Sequence, residues 1–94
     1  MKKTGNLKDS FETYLISKGY RETTPSGNPS TVPQYVNSVE KVCDREGCSW
    51  EKLSSMITII VTKYDVGGFE EEFGMKSHRT IINALKAYES FLKS

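Results

Sequence analysis

An all-α fold of four or five helices is predicted from three observations on this sequence. Apolar residues recur every three or four positions through most of the chain, and capping residues precede these stretches while glycines close them. Only one segment, residues 57–62, is β-branched enough to suggest a strand, and it has no evident partner elsewhere.

The first helix is expected from about Leu7 to Lys18, with Asn6 as N-cap and Asp9 near the positive end of the helix dipole. Leu7, Phe11, Tyr14 and Leu15 share a face. Gly19 stops the helix, with Tyr20 placed for the apolar contact that often accompanies a glycine cap. Residues 21–30 (RETTPSGNPS) are punctuated by Pro, Gly, Ser and Thr and read as a loop.

The second helix, about Val32 to Arg45, opens with Thr31 and has Gln34 three residues on, a reciprocal capping box that tolerates Pro33 in its first turn. Val32, Tyr35, Val36, Val39, Val42 and Cys43 form its apolar side. Gln34, Asn37, Ser38, Lys41 and Arg45 form the other. Ser49 caps a short turn at Trp50–Leu53, and residues 54–64 follow. A lone strand there would leave its backbone groups unpaired, so helix is favoured.

Asp65-Val-Gly-Gly68 breaks the chain, and the acidic run Glu70, Glu71 and Glu72 reads as a solvated loop. The last helix is expected from a cap at Ser77 to Leu92. Ile81, Leu85, Tyr88 and Leu92 make its buried stripe, with Ala84 and Phe91 beside it. Arg79, Asn83, Lys86 and Ser90 lie opposite.

Ninety-four residues suit a single domain spanning 1–94, with residues 1–5 expected to be disordered. A chain this size buries roughly 60–65% of its unfolded surface, enough for a small core. Thirteen Lys and Arg against twelve Asp and Glu leave a net charge of +1, which is not the footprint of a strong autonomous nucleic-acid binder. Any such binding needs a local patch. No apolar run reaches signal-peptide or membrane-span length, so a soluble cytoplasmic protein with no membrane association is expected.

Cys43 and Cys48 with the single His78 do not make a four-ligand zinc set, and neither metal nor other cofactor is expected. Cys43 reads as a small core hydrophobe and Cys48 as a turn residue. Enzymes need convergent reactive groups, and this chain has one His, no Gly-rich phosphate loop and no nucleophile elbow, so no catalysis is expected.

Lys76, His78, Arg79, Thr80 and Asn83 gather donors at a helix N-terminus, where free amides and the dipole favour an anion such as a phosphate. Asn pairs with adenine and Arg with guanine when such a helix enters the major groove.

Phe11-x-x-Tyr-Leu15, Lys18-Gly-Tyr20, Ser30-Thr-x-x-x-Tyr35-Val, Trp50-x-x-Leu53 and Ala84-Leu-Lys-Ala-Tyr-x-x-Phe-Leu92 occur in an order that resembles the core-binding, SAM-like N-terminal domain of tyrosine recombinases, the phage-type integrases. The resemblance implies a compact SAM-like bundle that clamps duplex DNA opposite a separate catalytic domain, with its second and last helices near the duplex. The matching positions are Thr31, Gln34, Asn37 and Lys41 on the second helix, and Lys76, His78, Arg79, Asn83 and Lys86 on the last. The downstream segment with the family's Arg, His and Tyr nucleophile is not in this sequence, and the loop at Thr24 to Pro29 is longer than the pattern.

The expected function is therefore non-catalytic, modest binding of duplex DNA by a monomer. The alternative is a small protein-interaction module, in which Trp50, Phe69 or Tyr20 would serve as an aromatic anchor if exposed.

Overall fold

A computed structural model of the chain describes residues 7–20 and 31–93, apart from the side chains of Ser77 and His78. Within them the protein is all-helical. α1 spans Leu7–Ser17, α2 Thr31–Glu46, α3 Trp50–Ser55, α4 Ile57–Tyr64, α5 Glu71–Gly74 and α6 Lys76–Lys93. The expectations for residues 1–5, the Asn6 cap and the loop at 21–30 lie outside the described residues.

α2 and α6 form the central pair; α1 packs chiefly on α2, while α4 and α5 pack on α6. Phe11 and Leu15 of α1, Val32, Val39 and Val42 of α2, Leu53 of α3, Tyr64 of α4, and Ile82, Leu85 and Tyr88 of α6 are fully enclosed or nearly so. Each such side chain stabilises the fold by roughly 1.5–3 kcal/mol relative to exposure. Phe11, Trp50, Tyr88 and Phe91 form an aromatic cluster across α1, α3 and α6, with Phe11–Tyr88 and Trp50–Tyr88 centroids both 5.2 Å apart in edge-on arrangements. Its polar handles are satisfied: Tyr88 Oη donates to Trp50 O at 3.1 Å, and Trp50 Nε1 donates to Glu40 Oε1 at 2.6 Å.

The β-branched run is indeed helical, as α4. Ile57, Ile60 and Tyr64 supply its buried i, i+3, i+7 stripe, and tertiary burial outweighs weak helix propensity. Ser49 Oγ accepts from Lys52 N–H at 3.1 Å, as its place before Trp50 predicts.

Four expectations need correction. Ser38, assigned to the polar side of α2, is buried; its hydroxyl donates to Gln34 O at 2.8 Å, which satisfies it inside the core. Ile82 is fully buried, so the inner stripe of α6 is wider than the four residues expected. The acidic run is not wholly loop, because Glu71 and Glu72 open α5. Lastly, α6 begins at Lys76, so Ser77 lies within the helix rather than capping it.

The α4–α5 corner depends on a missing side chain. A Cβ built on buried Gly74 would overlap the backbone carbonyl of Tyr64, so only glycine lets α5 sit this close to the end of α4.

Candidate nucleic-acid interface

Spacing along α2 puts Gln34, Asn37 and Lys41 along one edge, three to four residues apart, and that edge faces α6. The three line a shallow groove of about 190 Å³ with Ser38, Thr80 and Ile81. Through Lys41 and Ile81 this groove meets a larger one of about 470 Å³, completed by Asp44, Arg45, Phe73 and Lys76. The pair makes a trough of mixed polar and apolar lining between α2 and the start of α6. Four of the expected DNA-facing residues, Gln34, Asn37, Lys41 and Lys76, therefore come together.

Four others do not join them. Thr31 is half-buried at the start of α2 and lines neither groove. Arg79, Asn83 and Lys86 are exposed and follow i, i+4, i+7 along the outward side of α6. Lys86 Nζ lies 3.3 Å from Asp65 Oδ2 beyond the end of α4. The Asp65 carboxylate is held below the usual range, first by the Val66 N–H that it accepts at 2.8 Å and then by Lys86, with a smaller contribution from the charge of Arg79. The side chain of His78 lies outside the described residues.

The start of α6 also differs from a free helix N-terminus. Only Met75 separates it from α5, and hydrogen bonds run through that residue: Met75 N–H donates to Glu71 O at 2.9 Å, and Arg79 N–H to Met75 O at 3.0 Å. Amides expected to await an anion are thus partly used within the chain. Arg79 itself has φ of 70°, a left-handed conformation costing a non-glycine residue roughly 1–2 kcal/mol. The first turn of α6 is locally distorted there.

Partners decide which cations are available. Arg45 Nη2 lies 2.7 Å from Glu70 Oε1, and its guanidinium sits 4.3 Å from the Phe73 ring centre. Lys63 is paired with Glu46 at 3.0 Å. Among the described residues, Lys41 and Lys76 have no ion pair, and Lys76 Nζ lies 5.6 Å from the Phe73 ring centre. Phe73 and Asp65 escaped the sequence reading. Phe73 stands directly after the acidic run and three residues before Lys76, so helical spacing across 73–76 was its one available signal.

A different surface lies around the turn after α4. Phe69 is 98% exposed and Ile59 71% exposed, and both line an apolar groove of about 440 Å³ with Thr58, Thr62 and Lys63. Of the other expected aromatic anchors, Trp50 is half-buried in the aromatic cluster, and Tyr20 is exposed with its ring 5.7 Å from that of Tyr35.

Among the described residues, the fold and trough define a small all-helical domain with a weakly basic inter-helix surface of mixed polarity. Compared with known protein-family models, curated proteins and solved structures, the chain matches none. No helix among the described residues is long and apolar enough to cross a membrane.

Proposed function

We propose that this domain binds duplex DNA, without catalysing a reaction on it, through the trough between α2 and α6. The observation that carries this reading is the convergence of Gln34, Asn37, Lys41 and Lys76 from two helices on one surface, with both lysines free of ion pairs among the described residues. Lys41 and Lys76 meet phosphates, while Gln34 and Asn37 supply the amide groups that pair with adenine edges. The order of core and capping residues that resembles the integrase core-binding domain supports the same two helices.

Affinity is modest, because Arg45 and Lys86 are already neutralised by Glu70 and Asp65. That leaves Lys41 and Lys76 as the trough's phosphate contacts. Two contacts imply a slope of log K against log salt of about −1.8, or an affinity loss of about 12-fold from roughly 50 to 200 mM salt. A fluorescence anisotropy titration of a labelled duplex at several salt concentrations tests this. Binding with that slope, weakened in Lys41→Ala and Lys76→Ala, supports the reading; no binding at micromolar protein in low salt refutes it.

A second reading, a protein-interaction module, is favoured by the exposure of Phe69 and Ile59. Glu71 and Glu72 stand two and three residues after Phe69, so the matching partner segment is apolar with basic flanks. Phe69→Ala would abolish that interaction and leave DNA binding intact.

A further inference from the structure

α2 ends in a Schellman arrangement. Gly47 N–H donates to Asp44 O at 3.3 Å, Cys48 N–H donates to Cys43 O at 3.0 Å, and Gly47 has φ of 68°. Such an ending sets the side chain near the end of the helix against the one just beyond the glycine, a contact usually made by two apolar residues. α1 shows the usual case. There Tyr20 N–H donates to Leu15 O at 3.1 Å and Gly19 N–H to Ile16 O at 3.0 Å, and the two positions hold Leu15 and Tyr20. In α2 both positions hold cysteine.

The two thiols are free, and both line an open cavity of about 280 Å³ beside Glu40, Trp50 and Glu51. The backbone hydrogen bond between these residues keeps their Cα atoms within the span that a disulfide bridges. Their access to solvent differs. Cys43 is 5% exposed, and burial, with the neighbouring Cys48 and Glu40, pushes its thiol up to about 12. Cys48 is half-buried at the cavity wall. Since the thiolate is the attacking species and needs access, Cys48 is the sulfur that meets an oxidant, and Cys43 is the one that resolves it.

We propose that Cys43 and Cys48 form a reversible intrachain disulfide by exchange with a low-molecular-weight disulfide of the glutathione class. The Cys48 thiolate attacks one sulfur of glutathione disulfide, breaks its S–S bond and releases one glutathione thiolate, which takes a proton from water. Cys43 then loses its proton to solvent and attacks Cys48 Sγ, which forms the intrachain bond and expels the second glutathione. The two cysteines lose two electrons, and glutathione disulfide gains them as two thiols. The bridge ties the last turn of α2, with Asp44 and Arg45, to the start of α3.

Incubation of the full chain with glutathione disulfide, followed by thiol blocking and intact mass spectrometry, tests the site. The wild-type chain is expected to end two hydrogens lighter, with no glutathione attached and no thiol left to block. Cys43→Ser should stop as a single glutathione adduct, and Cys48→Ser should stay unmodified. Because Cys43 is a core residue, Cys43→Ala serves as the second blocked variant, and circular dichroism checks the fold of each. The proposal is overturned if the wild type stops at the adduct, forms interchain dimers, or stays unmodified.

Discussion

The α2–α6 trough and the α4–α5 corner adjoin one another and share Arg45, Phe73 and Lys76 on their walls, yet they use charge in opposite ways. In the corner, charges are spent on each other. Glu46 accepts from Tyr64 Oη at 2.8 Å and from Lys63 at 3.0 and 3.2 Å, and Glu70 holds Arg45. In the trough, Lys41 and Lys76 face solvent without such partners among the described residues. Substitutions in the corner should therefore be read in stability, and substitutions in the trough in binding.

The largest effect expected on either side is Gly74→Ala. Its methyl group must displace the Tyr64 backbone, so a loss of about 3 kcal/mol or more is predicted in urea denaturation. A loss below about 0.5 kcal/mol would show that the corner yields and would weaken the contrast. Next comes Tyr64→Phe, which strips a hydrogen bond from the Glu46 carboxylate and should cost about 1.5–3 kcal/mol, with duplex binding unchanged.

Acid should act on the same side. Burial alone would raise the Glu46 carboxyl, but hydrogen bonds from Tyr64 and Lys63 outweigh it and hold the group below its ordinary value of 4.5. Asp65 is lowered as well. A carboxylate depressed in the folded state contributes stability above its unfolded value and loses it as pH falls through the folded one. Thermal melts should therefore show declining stability below about pH 4.5. Glu46→Gln should flatten that decline.

The smallest effects on stability belong to the trough. Lys41→Ala and Lys76→Ala should each change stability by less than about 0.5 kcal/mol. Each should also reduce the salt slope of DNA binding by about 0.9. Lys86→Ala, whose charge is already held by Asp65, should reduce that slope less than either.

The helices were legible because their apolar periods are clean: Val32, Val36, Val39 and Val42 are buried as their spacing demands, and so are Ile81, Leu85 and Tyr88. The acidic run was misread because Glu71 and Glu72 give no apolar signal of their own, and α5 depends on Gly74 meeting Tyr64, a contact between residues distant in sequence. The site was legible in part for a related reason. Spacing along α2 grouped Gln34, Asn37 and Lys41, but no pattern within α6 reveals that Lys76 turns toward α2 while Lys86 is drawn to Asp65. Those are tertiary choices. Nor does the sequence announce that Cys43 and Cys48 take the two paired positions of a Schellman ending until the hydrogen bonds place Gly47 between them.

The most direct test of the contrast is amide chemical-shift mapping of the labelled protein titrated with a short duplex. Perturbations should concentrate at residues 34–41 and 76–83, with residues 57–70 largely unmoved. Perturbations centred on Ile59 and Phe69, or none at millimolar DNA in low salt, would contradict the contrast.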